Sequence, residues 1–317
     1  MQHSGLVSGI DWSPVTGHIV TCGHDRNAYV WKYDGQEWKP TLCVLRINRA
    51  AISVRWSPCG QKFAVTSGSK CIPLCYYEAS SDWWVSKMIK KHKSTVVAAA
   101  WSPNSRFLVT ASTDMKCRIV SAFDKNIDKK DNTYDHVFGD SQYVLGEVLA
   151  EFDTAKAWVN AVAWSPNGMR VVFFGHGSTA HFVDLEKGID NIQTVYLKDL
   201  PMLTAEFLDD NTVVAAGFDK NPCFFVNNNG TWAFKDFAEK ASSVKEASAA
   251  VSATSRAFSM FQQADVQGKK FGADEAAKVD FTTHKNTIIS LQKADERHFS
   301  TAGLDGNITF WDATKYL

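Results

Sequence analysis

The chain has 317 residues, 45% hydrophobic and 21% charged, with 34 basic residues set against 34 acidic ones. A net charge of zero leaves no domain-wide positive field to hold nucleic acid, and no run reaches the ~18 apolar residues that a membrane-spanning helix needs. Seven cysteines, an odd number lying mostly within predicted strands, point to free buried thiols in a reducing compartment.

Read in chain order, one phrase returns: Ile10-Asp11-Trp12-Ser13-Pro14, Val54-Arg55-Trp56-Ser57-Pro58, Ala99-Ala100-Trp101-Ser102-Pro103 and Ala163-Trp164-Ser165-Pro166. Its tryptophans stand 44, 45 and 63 residues apart. A period of roughly 40–45 residues is that of four-stranded propeller blades, small sheets that bury their apolar faces only by stacking around a ring. Six units are readable, so the expected fold is all-β: one propeller over 1–317. Outer strands are expected at Trp38–Leu45, Trp83–Ile89, Tyr143–Glu151, Ile192–Leu197 and Thr231–Phe237.

Each unit also carries a polar set at fixed offsets. His3 precedes Asp25 by 22 residues, and Asp25 precedes Trp31 by six; Thr21 sits four before the Asp. His92, Thr110 and Asp114 repeat the pattern with Val120 in the Trp position, and His284, Thr301, Asp305 and Trp311 repeat it in full. The fifth unit keeps only Asp219, while Ser69 and Gly177 hold the turn position in the second and fourth. This resembles the hydrogen-bonded network of WD-repeat blades. A Ser/His/Asp hydrolase triad is a poorer account, because the same residue types recur in several units and no Gly-x-Ser-x-Gly elbow is present. Cys71-x-x-x-Cys75 lacks a second ligand pair, so neither a metal nor another cofactor is expected.

Two stretches break the period. Residues 125–142 are charged and polar and are expected to form a solvated rim loop. Residues 238–285 shift to Ala, Ser, Lys and Glu, with a short amphipathic helix expected near 255–265. Phe258 and Phe261 give that helix an apolar stripe, to be covered by the propeller's own side or by another protein's groove.

Several blocks are more particular than a generic repeat: Cys22 to Trp31, Lys39 to Ala51 (with Arg46-Ile47-Asn48-Arg49-Ala50), Asp82-Trp83-Trp84-Val85, Ile89-Lys90-Lys91 and Lys116-Cys117-Arg118-Ile119. On these the chain resembles the WD-repeat subunits of the actin-related protein 2/3 complex. The resemblance implies a seven-bladed propeller acting as a non-enzymatic brace in an assembly that nucleates branched actin filaments. It implies actin-related subunits and the actin filament as partners, and a cytoplasmic, cytoskeletal setting in the actin-rich cortex. It also matches Phe261, Gln262 and Asp265 to the family's protruding element, which contacts the mother filament, and tilts the helix toward projection. Arg26, Arg46, Arg49, Lys90 and Lys91, basic residues of the shared blocks, are candidates to meet acidic partner surfaces, against the plainer alternative of a solvated rim. A scaffold of another multiprotein complex is the competing function. The family carries one more repeat than is readable here, so an absent N-terminal blade, a six-bladed ring or a partner filling the gap are the expected alternatives.

Overall fold

A computed structural model describes residues 2–129, 132–139, 143–240 and 282–317. Its strands form six antiparallel meanders. Blade 1 comprises β1 (Val7–Trp12), β2 (Ile19–Gly23), β3 (Asn27–Tyr33) and β4 (Trp38–Val44). Blade 2 comprises β5 (Ala51–Trp56), β6 (Lys62–Ser67), β7 (Ile72–Glu78) and β8 (Trp83–Ile89). Blade 3 is β9 (Val96–Trp101), β10 (Phe107–Ser112), β11 (Cys117–Ser121) and β12 (Val148–Phe152). Blade 4 is β13 (Val159–Trp164), β14 (Arg170–Gly175), β15 (Thr179–Asp184) and β16 (Ile192–Tyr196). Blade 5 is β17 (Met202–Phe207), β18 (Thr212–Gly217), β19 (Cys223–Asn228) and β20 (Thr231–Phe237). Blade 6 has three strands, β21 (Ile288–Lys293), β22 (His298–Gly303) and β23 (Ile308–Asp312). The all-β propeller read from the period is the observed fold.

The repeated phrase has a physical job at each end. Its serines, Ser13, Ser57, Ser102 and Ser165, are buried. Each donates its N–H across the first turn, to the carbonyls of His18, Lys62, Phe107 and Arg170, at 2.8–2.9 Å. The hydroxyls of Ser57, Ser102 and Ser165 accept the returning N–H groups of Lys62, Phe107 and Arg170. The proline that follows fixes the turn's second residue. The tryptophan packs on the preceding blade: Trp101 donates its indole N–H to the Arg55 carbonyl at 3.0 Å. Near its start every inner strand slips register against its neighbour, between Val7/Gly9, Ala51/Ser53, Val159/Ala161, Met202/Thr204 and Ile288/Ser290, and opposite Ala111/Ser112 in blade 3. Such bulges increase local twist, which a blade needs to fan outward from a ring.

Inner strands stack in chain order, β1 on β5, β5 on β9, β9 on β13, β13 on β17 and β17 on β21. Among the described residues, the inner strands of blades 6 and 1 are not among these stacked pairs. Ile10 and Trp12 on one side of this seam, and Ile308 and Phe310 on the other, are exposed.

Two expectations need correction. The strand expected from Tyr143 begins at Val148 instead, because Tyr143 is buried edge-on against Phe107, with ring centroids 5.0 Å apart. The rim loop is exposed at much of its described length, Lys125, Asn126 and Lys129 included, but it is anchored at particular side chains. Tyr134 is buried against Phe107 and Trp164, and Lys62 of blade 2, fully buried, binds Asp128 Oδ2 at 2.6 Å and the Ala122 carbonyl at 3.0 Å. Lys87 pairs with Asp124 beside it. The loop is thus a strap from blade 3 back to blade 2. At the second insertion, Glu239 accepts the Thr283 N–H at 2.8 Å, so the chain leaves and returns at one point of the rim. Phe258, Phe261, Gln262 and Asp265 lie outside the described residues. All seven cysteines are free thiols, and burial pushes the Cys22 thiol up to about 11.

Candidate functional site

The loops that enter each blade and the turns between its second and third strands share one rim, and polar clamps tie them together. In blade 1 His3 Nδ1–H donates to Asp25 Oδ2 at 2.9 Å. A carboxylate accepts only, so Nε2 is left to accept from the Thr21 hydroxyl, also at 2.9 Å. That hydroxyl in turn accepts the Trp31 indole N–H at 2.9 Å. Blade 6 repeats the chain: His284 meets Asp305 at 3.2 Å and Thr301 at 2.8 Å, and Trp311 donates to Thr301 at 2.7 Å. The Lys285 N–H, followed by other hydrogen bonds, holds the Asp305 carboxyl below the usual carboxylate range.

The imperfect blades solve the same problem differently, through the residue opposite the clamp threonine on the third strand. That position holds Tyr29 in blade 1 and Arg118 in blade 3. Arg118, 2% exposed, inserts its guanidinium between His92 Nδ1 (2.9 Å) and Asp114 Oδ2 (2.9 Å). Nδ1 must therefore accept, which makes Nε2–H the donor to Thr110 at 3.2 Å; the Thr110 hydroxyl then donates to the Arg118 carbonyl at 3.1 Å. The hydrogen bonds of this clamp therefore run in the opposite direction to those of blade 1. Burial, reinforced by the Arg118 charge, brings the His92 imidazole down to about 4. In blade 4 the clamp threonine is replaced by Phe173, and the opposite position holds His181. That ring stacks on Phe173 and binds Thr179 and Thr194 at 2.9 Å each, and burial brings it too to about 4.

Blades 2 and 5 keep only the turn anchor. Ser69 accepts the N–H groups of Asn48 and Arg49, and Asp219 accepts that of Leu200. Arg118 and His181 were invisible as clamp residues in the sequence, since the cross-strand position has no fixed residue type; the register opposite Thr110 and Phe173 is the signal that finds them.

The clamps fix a rim rather than a pocket. Arg26, Arg46, Arg49, Lys90 and Lys91 all lie on it, exposed, and none pairs with a carboxylate among the described residues. Arg26 (φ 68°) and Arg46 (φ 55°) hold left-handed backbone, and Arg26's turn position is repeated by Lys70 (φ 61°), Met115 (φ 68°), Ser178 (φ 57°) and Lys220 (φ 61°). Blade 6 has Gly306 there. A side chain costs about 1 kcal/mol in that conformation, and the position is basic in blades 1, 2 and 5 but Met115 in blade 3 and Ser178 in blade 4. Among the described residues no group of three or more His, Cys, Asp or Glu could hold a metal.

Stacked four-stranded meanders with these clamps define a WD-repeat β-propeller, and residues 1–32 and 83–121 match the family "WD domain, G-beta repeat". Over 98% of its length the chain is 40% identical to "Actin-related protein 2/3 complex subunit 1A" of Arabidopsis thaliana, covering 83% of that relative. It is 37% identical to subunit 1A-B of Xenopus laevis and 31% identical to subunit 1 of Saccharomyces cerevisiae, covering 83% and 84% of them. The chain belongs to the family of actin-related protein 2/3 complex subunit 1.

Proposed function

We propose that the chain is a non-enzymatic subunit of an actin-related protein 2/3 complex, bracing the actin-related subunits and contacting the mother filament in cytoplasmic, actin-rich cortex. The observation that carries this is similarity along nearly the whole chain to relatives of that name in plants, frogs and yeasts. The clamps support a structural role: in His3, His92 and His284 both ring nitrogens are committed to intrablade partners, leaving none to move a substrate proton. The basic rim of Arg26, Arg46, Arg49, Lys90 and Lys91 is the surface offered to acidic faces of neighbouring subunits. The late insertion, whose ends are pinned at Glu239 and Thr283 on that rim, carries the filament contact through Phe258, Phe261, Gln262 and Asp265.

The test replaces Phe258 and Phe261 with Ser in the reconstituted assembly and measures branch density alongside urea unfolding of the chain. Assembly and unfolding midpoint should hold while branching falls. A stability loss of several kcal/mol, about what two lost phenylalanine burials give, with branching intact would overturn the reading.

A further inference from the structure

On the rim opposite the clamps, a cleft of about 410 Å³ opens between blades 1 and 2 under the strap. Its walls include the rings of Tyr77 and Trp84, and His18, Lys32, Gln61 and Asn126 bring hydrogen-bonding groups to it. Among the described residues no acidic one lines it. Lysines around it are neutralised one by one, Lys39 by Asp34, Lys62 by Asp128 and Lys87 by Asp124. Lys32 differs. Its ammonium lies 5.0 Å from the centre of the Tyr77 ring, and among the described residues it has no carboxylate partner. The side-chain amides of Gln61 and Asn126 have no hydrogen-bond partner among the described residues either, so three sets of N–H donors share one acid-free cleft. His18 feels the same excess: burial and then the Lys32 charge lower its proton affinity. A group that satisfies an ammonium and two amides while lying on aromatic rings is compact, planar and anionic.

We propose that this cleft binds a carboxylate, and that in the assembly the carboxylate is an Asp or Glu side chain of a neighbouring subunit. The second half rests on the proposed complex membership; the first does not. The strap makes the site possible, because Asp124 and Asp128 hold Asn126 over the cleft by gripping Lys87 and Lys62.

The experiment has two arms. In the first, the full chain is titrated with glutarate while tryptophan fluorescence is followed, with inorganic phosphate as the competing probe. Saturable binding with Kd on the order of 1 mM is expected, weakened at least about fivefold in K32Q, a substitution at an exposed site that leaves the fold intact. No saturation by about 30 mM glutarate, equal binding in K32Q, or phosphate binding as tightly would overturn the carboxylate site. The second arm treats the intact assembly with a zero-length carbodiimide and maps the amide links. A link from Lys32 to an Asp or Glu of another subunit is expected, and an unlinked Lys32 beside linked neighbours would overturn the protein source while leaving the glutarate result standing. Should the chain join no such assembly, complex membership fails and the first arm still decides the cleft.

Discussion

Phe224 and Phe310 occupy the same position of blades 5 and 6, five residues after the turn aspartate, yet Phe224 is fully buried and Phe310 is 76% exposed. On the opposite blade face Trp101 is 8% exposed and Trp12, in the same repeated phrase, 59%. The blades of each pair are not equally clamped, since blade 5 keeps only the turn anchor and blade 6 the full set, yet the two residues of each pair hold the same repeat position and differ in what lies beside them. Phe224 lies under Ile288 and Leu291 of blade 6, and Trp101 on Ala64, Ile72 and Leu74 of blade 2. Among the described residues nothing covers Phe310 or Trp12. Burial in this architecture is therefore a property of adjacent blades, while the clamps are a property of each blade alone.

That contrast can be broken most forcefully at its tryptophans and phenylalanines. Trp101→Ala and Phe224→Ala should each cost about 3–5 kcal/mol in urea unfolding, the range for emptying a packed aromatic site. Trp12→Ala and Phe310→Ala should each cost less than about 1 kcal/mol. Equal losses in the two pairs would mean that the seam is packed like the other interfaces.

Next in size is the strap. Lys62→Met leaves Asp128 without its buried partner and should cost about 3 kcal/mol, and adding Asp128→Asn should recover much of it. An additive double variant would show that the two side chains do not depend on each other.

The clamps themselves give a pH signature. His92 and His181 titrate near 4 in the folded chain against 6.5 in the unfolded one. Between those values the unfolded chain binds more protons, so stability is complete above about pH 6.5 and drains as pH falls toward 4. At pH 5 the loss should be about 2 kcal/mol for each histidine, and His181→Gln should remove about half of the acid limb. A midpoint unchanged between pH 7 and 5 would refute both assignments.

Smallest of all should be Arg26→Gly. Relief of left-handed strain offsets the flexibility that glycine adds to the unfolded chain, leaving stability within about 0.5 kcal/mol. Binding to the assembled complex should nevertheless weaken, which separates a partner-facing role from a structural one.

Much of this was legible because clamp residues obey offsets: His3 to Asp25 and His284 to Asp305 can be counted along the chain. What escaped had no such ruler. Arg118 and His181 complete their clamps from a position defined only by cross-strand register. Tyr134 belongs to an insertion outside the period and Tyr143 to a stretch that reads as an outer strand, and their burial depends on Phe107 and Trp164, far away in sequence. Lys62 is buried by a partner, Asp128, that no repeat offset relates to it. The proposed docking surface was the least readable part, because exposed arginines and lysines have no internal partner to reveal their purpose.

Affinity purification of the tagged chain from its own cells, with every recovered protein quantified, asks most directly whether this stack of blades is a platform for other polypeptides. Recovery of two actin-related proteins in equal amounts with the chain, reduced when Arg26, Arg49 and Lys90 are changed to Glu, is the predicted result. A chain that comes away alone, or with a different set of subunits, would contradict it.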